Sequence, residues 1–541
     1  MSKFDSHNAI EMQEANELSM GPESRKDSDT AALEQAGKIP VLKRKFTFFS
    51  MFGFSCLVLG TWQGSLITFG IGLQNGGPAG VVYSFLIVWG GTLATFISLA
   101  ELASIAPTAG GQYHWVSLLA PENCQKLLSY ITGWLTVAGW QTSIASSAYL
   151  EGVLIQNLIQ VVRPSYSPKL WHGTLLCYGV LLICIGVNTL AGTKLPRIES
   201  ALLVVYLLSF FGVIVPLVYL APHGQSHDVF ATFENGGGWS SQGLSFFVGL
   251  SGNAFAFLGA DCVYHMSEEI RDAASVVPRS IIYGLLLDGT VGFGTIIAVL
   301  FCIGDPETIS ETKFTYPFIA IFVQATKSKG GSAVMVVLIL LVGLGIDIGL
   351  MAAATRMLWS FARDQGVPGW RYISKVDDNT RIPVRAVLTT TIFSILVGLI
   401  SIGSSVAFNA VVSLPLASLY ASYLLACSLL LWRRTTGSIR TTTAPDDHLN
   451  KKITNLPGSA GRLVWGPWRI KGFLGVLINI IACAYLLLIE IFVFWPPTKD
   501  VTAKTMNYSS LVLGSVAILS AVYYVFWGRR TYHGPVVEIF H

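Results

Sequence analysis

Long apolar runs separated by short polar segments dominate this chain. A helix of about 20 apolar residues crosses the hydrocarbon core of a bilayer, and twelve runs reach that length. The predicted spans are residues 48–73, 79–104, 129–160, 172–192, 200–221, 243–266, 280–303, 332–361, 384–404, 406–432, 472–495 and 508–527. The pattern predicts an all-α, polytopic membrane protein with twelve transmembrane helices embedded in a lipid bilayer.

Composition supports this class of protein and narrows its function. Hydrophobic residues make up 52% of the 541 residues and charged residues 12%, whereas soluble domains are about 25% charged. The eight cysteines stand singly, mostly inside apolar runs, which indicates packing and no metal site. The sequence has no phosphate-binding loop, no zinc-protease motif and no large soluble domain. We therefore expect no enzyme activity, no cofactor and no nucleic-acid partner.

Charge sets the expected orientation. Most Lys and Arg residues fall in alternate loops, beginning with the N-terminal one, so both termini are predicted to be cytoplasmic. The predicted organisation is a disordered arm, a transporter core, a cytoplasmic loop, two further spans and a tail: residues 1–45, 46–432, 433–471, 472–527 and 528–541. Asn507 begins a glycosylation sequon on the predicted outer side, directly before the last span.

The sixth span contains a carboxylate that an ordinary lipid-facing helix would not carry. Its sequence Phe255-Ala256-Phe257-Leu258-Gly259-Ala260-Asp261 places Asp261 beside a glycine and after aromatic residues. A charge within hydrocarbon costs about 2.5–3.5 kcal/mol on insertion scales and usually marks a pathway or a site. The alternative is that Asp261 lies just past the helix end, among lipid headgroups.

The first span has a similar interruption. Gly60-Thr61-Trp62-Gln63-Gly64-Ser65 lies in the middle of an apolar run. An unwound helix at this depth can offer free N–H groups to a carboxylate and free carbonyls to a cation. The alternative is a kinked, tightly packed helix with small residues. Interruptions in spans one and six are what two inverted repeats of five helices, at about residues 46–222 and 243–432, would produce.

Other membrane-embedded charges are weaker candidates. Asp347 lies 13 residues before Ser360, about 20 Å along a helix, which places it near the middle of the membrane. It is a second candidate for the substrate site or for proton coupling, and a buried structural role is the alternative. Glu151 is a third candidate for coupling or gating. Asp288 and Glu490 are interpreted as packing or interfacial groups. Glu101 and Arg356 lie at predicted cytoplasmic helix ends. They could form a salt-bridge network that closes an inner gate, or they could snorkel to the membrane surface without a gating role.

Three long motifs carry a resemblance to a known family. They run from Glu101 to Trp115 (ELASIAPTAGGQYHW), from Met266 to Glu269 with Val277-Pro278-Arg279, and from Arg356 to Pro368 (RMLWSFARDQGVP). The chain thereby resembles amino acid–polyamine–organocation permeases. Asn75-Gly76-Gly77-Pro78 and Met506-Asn507-Tyr508 are similar to the fungal branch that contains choline and γ-aminobutyrate permeases.

The resemblance implies a LeuT-like fold of ten helices in two inverted repeats plus two peripheral helices. In that family the stretch matching Thr61-Trp62-Gln63-Gly64 binds the carboxylate of the substrate. Trp62 and Gln63 depart from the small residues of bacterial relatives, which suits a differently shaped substrate. Phe255 matches the aromatic gate over the substrate, Gly259 the unwound point and Asp261 a gating acid.

These observations lead to an expected function. The chain is expected to be a secondary active transporter at the plasma membrane, importing an amino acid or small amine by alternating access with a coupling proton. Asp261 would either pair with the amine, which Phe255 would contact by cation–π attraction, or carry the proton. Exchange, vacuolar transport and a non-transporting receptor are the alternatives.

Overall fold

The computed structural model describes residues 33, 37–304, 312–403, 411–440, 463–503 and 505–536. They form helices and one short parallel pair of strands. The helices are α1 (Phe48–Leu59), α2 (Thr61–Ile105), α3 (Gln112–Leu119), α4 (Gln125–Val162), α5 (Leu170–Leu190), α6 (Leu195–Leu220), α7 (Ser226–Ala231), α8 (Gln242–Ala256), α9 (Cys262–His265), α10 (Ala273–Phe301), α11 (Pro317–Thr326), α12 (Lys329–Arg363), α13 (Trp370–Ile373), α14 (Val384–Gly403), α15 (Leu414–Thr435), α16 (Gly472–Phe492), α17 (Ser509–Tyr523) and α18 (Arg529–Thr531). The strands are β1 (Ile439–Arg440) and β2 (Leu463–Val464).

The longest helix, α2, contains two apolar spans. Its 45 residues would extend about 67 Å if straight, more than twice the thickness of a hydrocarbon core. Gly77 interrupts it with φ 64°, directly before Pro78. The glycine adopts the left-handed region without strain and the proline cannot continue the hydrogen-bond ladder. The predicted boundary between spans one and two therefore falls at a real kink.

Nine helical stretches in the described part of the chain are long and apolar enough to cross a membrane. One of them is the continuous run Phe48–Ile105, which joins α1 and α2. The helices α4 and α8 fall outside this count, because α4 is less apolar and α8 has 15 residues. The class predicted from the sequence, a polytopic helical membrane protein, is confirmed at this level.

The buried core lies between two groups of helices. The helix α2 packs along α8 and α10, and α4 packs against α12 and α15. Large apolar side chains such as Leu182, Leu208 and Ile518 point outward and are exposed by 66–71%. In a membrane protein these side chains face lipid, which is as apolar as they are.

Residues 37–46, which include the end of the predicted N-terminal arm, pack on one end of the bundle, where Lys38 and Phe46 are buried. Phe46 pairs with Ile270 in a parallel β-bridge, and its N–H and that of Lys45 donate to the Glu269 carbonyl. The rest of the predicted arm (1–32 and 34–36), the start of predicted span ten, most of the cytoplasmic loop (441–462) and residues 537–541 lie outside the described residues.

Candidate substrate and proton site

The first helix break lies at one residue, Gly60. The helix α1 ends at Leu59, Gly60 has φ 49° and ψ 36°, and α2 begins at Thr61. A Cβ at Gly60 would collide with the Ile346 side chain of α12, so both the backbone conformation and the packing require glycine. The predicted unwound stretch Thr61–Ser65 instead forms the first turns of α2, one residue beyond the break. Unwinding is limited because the N–H groups of Gln63 and Gly64 bond to the Gly60 carbonyl.

The side chains after this break point in different directions. Trp62 is fully buried against Tyr206 and Phe210 of α6, with ring centroids 6.0 and 6.1 Å away. Gln63 Nε2 donates to the Ile339 carbonyl of α12 at 3.3 Å. The helix α2 packs closely against the end of α8 at Gly64, where a Cβ would lie 3.1 Å from Ala256 Cα. The stretch therefore packs against α6 and α8 and donates a hydrogen bond to α12.

The second break is longer and lies in the predicted sixth span. The helix α8 ends at Ala256 and α9 begins at Cys262, and Gly259 between them has φ 100°. That conformation strains any residue with a Cβ. Phe255 lies in the last turn of α8 and is partly exposed, while Asp261 directly precedes α9 and is fully buried. The structure thus places Phe255, Gly259 and Asp261 at the predicted interruption.

The Asp261 carboxylate is held by neutral donors and one imidazole. Its Oδ2 accepts hydrogen bonds from Gln112 Nε2 at 2.8 Å and from Trp140 Nε1 at 3.0 Å. His265 Nε2 lies 3.4 Å from the same oxygen, one helical turn further along. Asp261 is therefore a buried group inside the helical bundle.

His265 lies between the Ala109 carbonyl and the Asp261 carboxylate. Its Nδ1 lies 2.9 Å from the Ala109 carbonyl, which can only accept, so Nδ1 carries a hydrogen. Its Nε2 faces Asp261 Oδ2 at 3.4 Å and has no hydrogen-bond partner among the described residues. Asp261 and His265 are therefore a buried pair of ionisable side chains in direct proximity.

Sequence reasoning missed His265. The signal was available, because positions i and i+4 of a helix lie on one face, and Asp261 and His265 have that spacing. The interruption at Gly259 obscured it, since helical periodicity could not be assumed to resume at once. Gln112 and Trp140 were also missed because they come from α3 and α4, far away in the sequence.

Asp347 and Glu151 form a second acidic group. The carboxyls of Asp347 on α12 and Glu151 on α4 are buried and interact electrostatically. Both Asp347 oxygens and one Glu151 oxygen have no hydrogen-bond partner among the described residues. A Cβ at Gly343, one turn before Asp347, would collide with Glu151 and Gln63. Gln63 therefore links this acidic group to the first break.

Ion pairs join the helices at the end of the bundle that the sequence predicts to be cytoplasmic. Arg356 Nε donates to Glu269 Oε1 at 2.8 Å, and Arg363 forms two bonds of 2.9 and 2.7 Å to Glu268. Both acids belong to the motif after α9. Glu101 pairs instead with Arg434 at the end of α15. The two predicted gate residues, Glu101 and Arg356, thus lie in separate buried pairs, and Arg356 lies in the pair that joins α12 to the α9 motif.

Both ends of the described chain meet at one carboxylate beside these pairs. Lys38 Nζ lies 2.5 Å from Asp364 Oδ1, and the Val536 N–H donates to the same oxygen at 3.0 Å. Tyr113 Oη donates to Asp364 Oδ2 at 2.7 Å. The arm, α3, the end of α12 and the C-terminal tail are joined at this point.

On the opposite side, Asn507 is engaged by the backbone. Its Nδ2 donates to the carbonyls of Val493 and Trp495 at 2.6 and 2.9 Å, and its Oδ1 accepts from the Ser509 N–H at 3.0 Å. Glycosylation at this nitrogen would have to displace these contacts, so its use stays a prediction.

Interrupted helices with buried ionisable groups, inside a bundle of apolar helices, define a multi-pass membrane transporter. Comparisons with known proteins agree. The family described as "Amino acid permease" matches residues 48–518, and the chain belongs to this family. It is 29% identical to the choline transporter of Saccharomyces cerevisiae over 495 residues, covering 91% of this chain and 83% of that protein.

Two further relatives have similar coverage. The chain is 27% identical to Amino-acid permease 2 of Neurospora crassa, covering 95% of this chain and 90% of that protein. It is 28% identical to Amino-acid permease BAT1 of Arabidopsis thaliana, covering 95% and 97%. The likeness therefore extends over nearly the whole length of each chain, and the expected family is confirmed.

Proposed function

We propose that this permease imports a small amine or amino acid, coupled to a proton, by alternating access. The proposal includes twelve transmembrane helices, ten of them in two inverted repeats, and cytoplasmic termini. It places the protein in the plasma membrane. The observation that carries it is the pair of helix breaks at Gly60 and Gly259, the second of which holds the Asp261–His265 pair.

The two breaks supply what a substrate site needs. Broken helices leave backbone N–H and C=O groups without intrahelical partners, and these can replace the hydration shell of a polar solute within the membrane. Contact between Gly64 and Ala256 brings the two broken helices together. Phe255, partly exposed at the end of α8, offers an aromatic face to a cationic solute.

Proton coupling is supported by the Asp261–His265 pair. The pair is fully buried, its Nε2 and Oδ2 atoms face each other at 3.4 Å, and it lies at the break that any rearrangement of α8 against α9 must move. Glu151 and Asp347 are a second candidate for carrying a proton, because both carboxyls are buried in the bundle and interact electrostatically. Asp347 stays a candidate substrate contact in this proposal.

The buried ion pairs support an inner gate. The Arg356–Glu269 pair joins α12 to the segment after α9. Opening toward the inside must therefore either break this ion pair or move α12 and that segment as one unit. The Lys38–Asp364 contact adds the N-terminal arm to the same closure. Glu101 pairs with Arg434 and so connects α2 to α15, and it lies outside the Arg356–Glu269 pair.

Uptake into proteoliposomes tests the proposal. Purified protein is given labelled choline, γ-aminobutyrate, basic amino acids and polyamines, with an acidic exterior and with or without a protonophore. We expect accumulation that the protonophore abolishes. Accumulation that survives loss of the pH gradient would contradict proton coupling. Uptake that requires a preloaded solute would favour the alternative, an exchanger, and localisation of the tagged protein separates plasma membrane from vacuole.

A further inference from the structure

The helix α6 has one buried face, and an acid lies on it. Every third or fourth residue of α6 is buried, from Leu195 through Glu199, Leu203 and Tyr206 to Leu217. This spacing places them on one side of the helix. The residues between them are partly or largely exposed, as in a helix whose other side faces lipid. Glu199 therefore points into the bundle, one turn after α6 begins.

The helix α1 covers this acid. The two helices pack along each other. At Gly53 of α1, a Cβ would lie 3.5 Å from the Leu203 side chain and 3.5 Å from the Glu199 carbonyl oxygen. Because residues four apart share a helix face, the Glu199 side chain faces the same interface as Leu203. The acid is thus enclosed by the half-helix that ends at the first break.

The Glu199 carboxyl has no partner that would stabilise its charge. It is fully buried, and neither oxygen has a hydrogen-bond partner among the described residues. Lys194 and Arg197, the basic residues at the start of α6, are exposed. An ionised carboxylate without a partner in such surroundings is strongly destabilising, whereas the neutral acid is tolerated. In this arrangement of helices Glu199 therefore holds a proton.

Titratable groups on the surrounding helices interact mainly with one another. The Cys262 thiol of α9 interacts electrostatically with Glu199. Cys56 of α1 and Asp288 of α10 interact with each other, and Asp347 of α12 interacts with an acid of α4. Within the described part of the chain, none of the ion pairs includes Glu199. Glu199 is therefore an isolated acid whose charge state depends on the cover that α1 provides.

Movement of α1 would change the surroundings of Glu199. The helix α1 is joined to α2 by the single left-handed residue Gly60, about which the two helices can pivot. Glu199 lies four residues, about 6 Å, from the start of α6, at the end of the bundle predicted to be cytoplasmic. Separation of α1 from α6 would admit water from that end, and a glutamic acid in water is ionised at neutral pH.

We propose that Glu199 links the separation of α1 from α6 to the release of a proton into the cytoplasm. The O–H bond of the carboxyl breaks, the proton passes to water, and the carboxylate stays in water until α1 returns and the acid is protonated again. The proposal rests on the proposed alternating access and adds a gating acid that is distinct from the Asp261–His265 pair. It makes inward opening easier as the cytoplasmic pH rises, because the open arrangement binds one proton fewer.

The neighbouring thiol gives a readout that needs no transported solute. Cys262 is fully buried, so N-ethylmaleimide reaches it only when the space around it opens to water. Labelling of the purified full-length protein is followed by peptide mass spectrometry, and the partly exposed Cys124 corrects for the pH dependence of the reagent. We expect the corrected Cys262 rate to rise with pH by up to about tenfold per unit, which is the effect of one proton.

Variants then assign the effect to Glu199. Glu199→Gln keeps the shape of the neutral acid and cannot ionise, so its corrected Cys262 labelling should lose the pH dependence. Glu199→Met, an apolar replacement of similar length, should do the same and serves if the amide does not fold. The control is Glu490→Gln on α16, which packs on α2, α8 and α15 and should keep the wild-type slope. Thermal unfolding of each purified variant reports whether it folds.

The outcomes separate the two proposals. A corrected Cys262 rate that does not change with pH in the wild-type protein would overturn the inference, and so would an unchanged slope in a folded Glu199 variant. Neither result depends on uptake, so both leave the proposed transport function standing. Absence of proton-driven uptake would refute the proposed function, whereas a labelling slope that disappears in Glu199→Gln would still support the link between Glu199 and α1.

Discussion

Replacing Asp261 with Asn is the sharpest test of the proposed proton coupling at Asp261 and His265. The amide keeps the shape of the carboxylate, and its oxygen can still accept from Gln112 Nε2 and Trp140 Nε1. It cannot take up a proton and share it with His265 Nε2. Asp261→Asn should therefore fold, with a loss of about 1–3 kcal/mol in the free energy of unfolding from weakened hydrogen bonds. It should lose the coupling between proton and solute.

The size of the effect follows from the driving force. One pH unit is worth about 1.4 kcal/mol per proton, so coupling to one proton supports about tenfold accumulation. The assay is uptake into proteoliposomes with the membrane potential clamped and the interior one pH unit more alkaline. Wild-type protein should approach that ratio, whereas Asp261→Asn should equilibrate the solute at a ratio near one. Asp228→Asn, at an exposed acid of α7, is the matched control.

Refutation would be direct. If folded Asp261→Asn still accumulates its solute about tenfold, Asp261 carries no coupling proton and the pair is structural. A second measurement uses His265→Gln. The proposal makes the two side chains one proton-carrying unit, so the double variant should be no more impaired than Asp261→Asn alone. Additive losses would show that the two residues act separately.

Three further predictions concern packing and the cytoplasmic closure. Gly343→Ala should impair uptake and destabilise the protein by about 1–3 kcal/mol, as measured by thermal unfolding, because its Cβ would displace the buried Glu151 carboxyl and Gln63 amide; Gly179→Ala, where the space is open, should do neither. Arg356→Ala should cost about 3–5 kcal/mol of unfolding free energy, because it leaves a buried carboxylate unpaired; denaturant unfolding that matches the wild type would contradict this. Burial opposes ionisation of Asp364, but the positive charges of Lys38 and Arg363 outweigh the effect of burial and hold the pKa of Asp364 below its usual value. A lowered folded-state pKa stabilises the folded form at pH values above the unfolded pKa of about 3.9, and this contribution disappears as the pH falls through the folded value. Hydrogen exchange in the arm, corrected for intrinsic rates, should therefore stay slow from neutral pH to about pH 4 and rise below it; protection unchanged to about pH 2 would contradict the contact.

The sequence allowed the helical class and both breaks to be predicted, because apolar runs and glycines are local signals. Gly60 was included in the predicted interruption, but the following residues were expected to be unwound. They form helix because the Gly60 carbonyl accepts from Gln63 and Gly64. One left-handed glycine is enough to redirect a helix, so the extent of unwinding depends on contacts that the sequence does not reveal.

Depth along a helix could be predicted, but the direction of a side chain could not. Asp347 was placed near the membrane centre by counting residues, but the sequence did not show that it interacts with Glu151 of α4. Asp288 was assigned to packing or to an interface, and only the rotation of α10 shows that the glycines one turn before and after it face Ser55 and Thr61. Such rotations are set by long-range packing.

The meeting of both chain ends at Asp364 has a practical consequence for handling the protein. A truncation that removes Lys38 takes away the ammonium nearest to a fully buried carboxylate, and one that removes Val536 takes away a backbone donor to the same oxygen. A truncation that reaches Lys38 or Val536 therefore perturbs the proposed inner gate. Transport rates of tagged and untagged protein should be compared before either end is treated as a neutral handle.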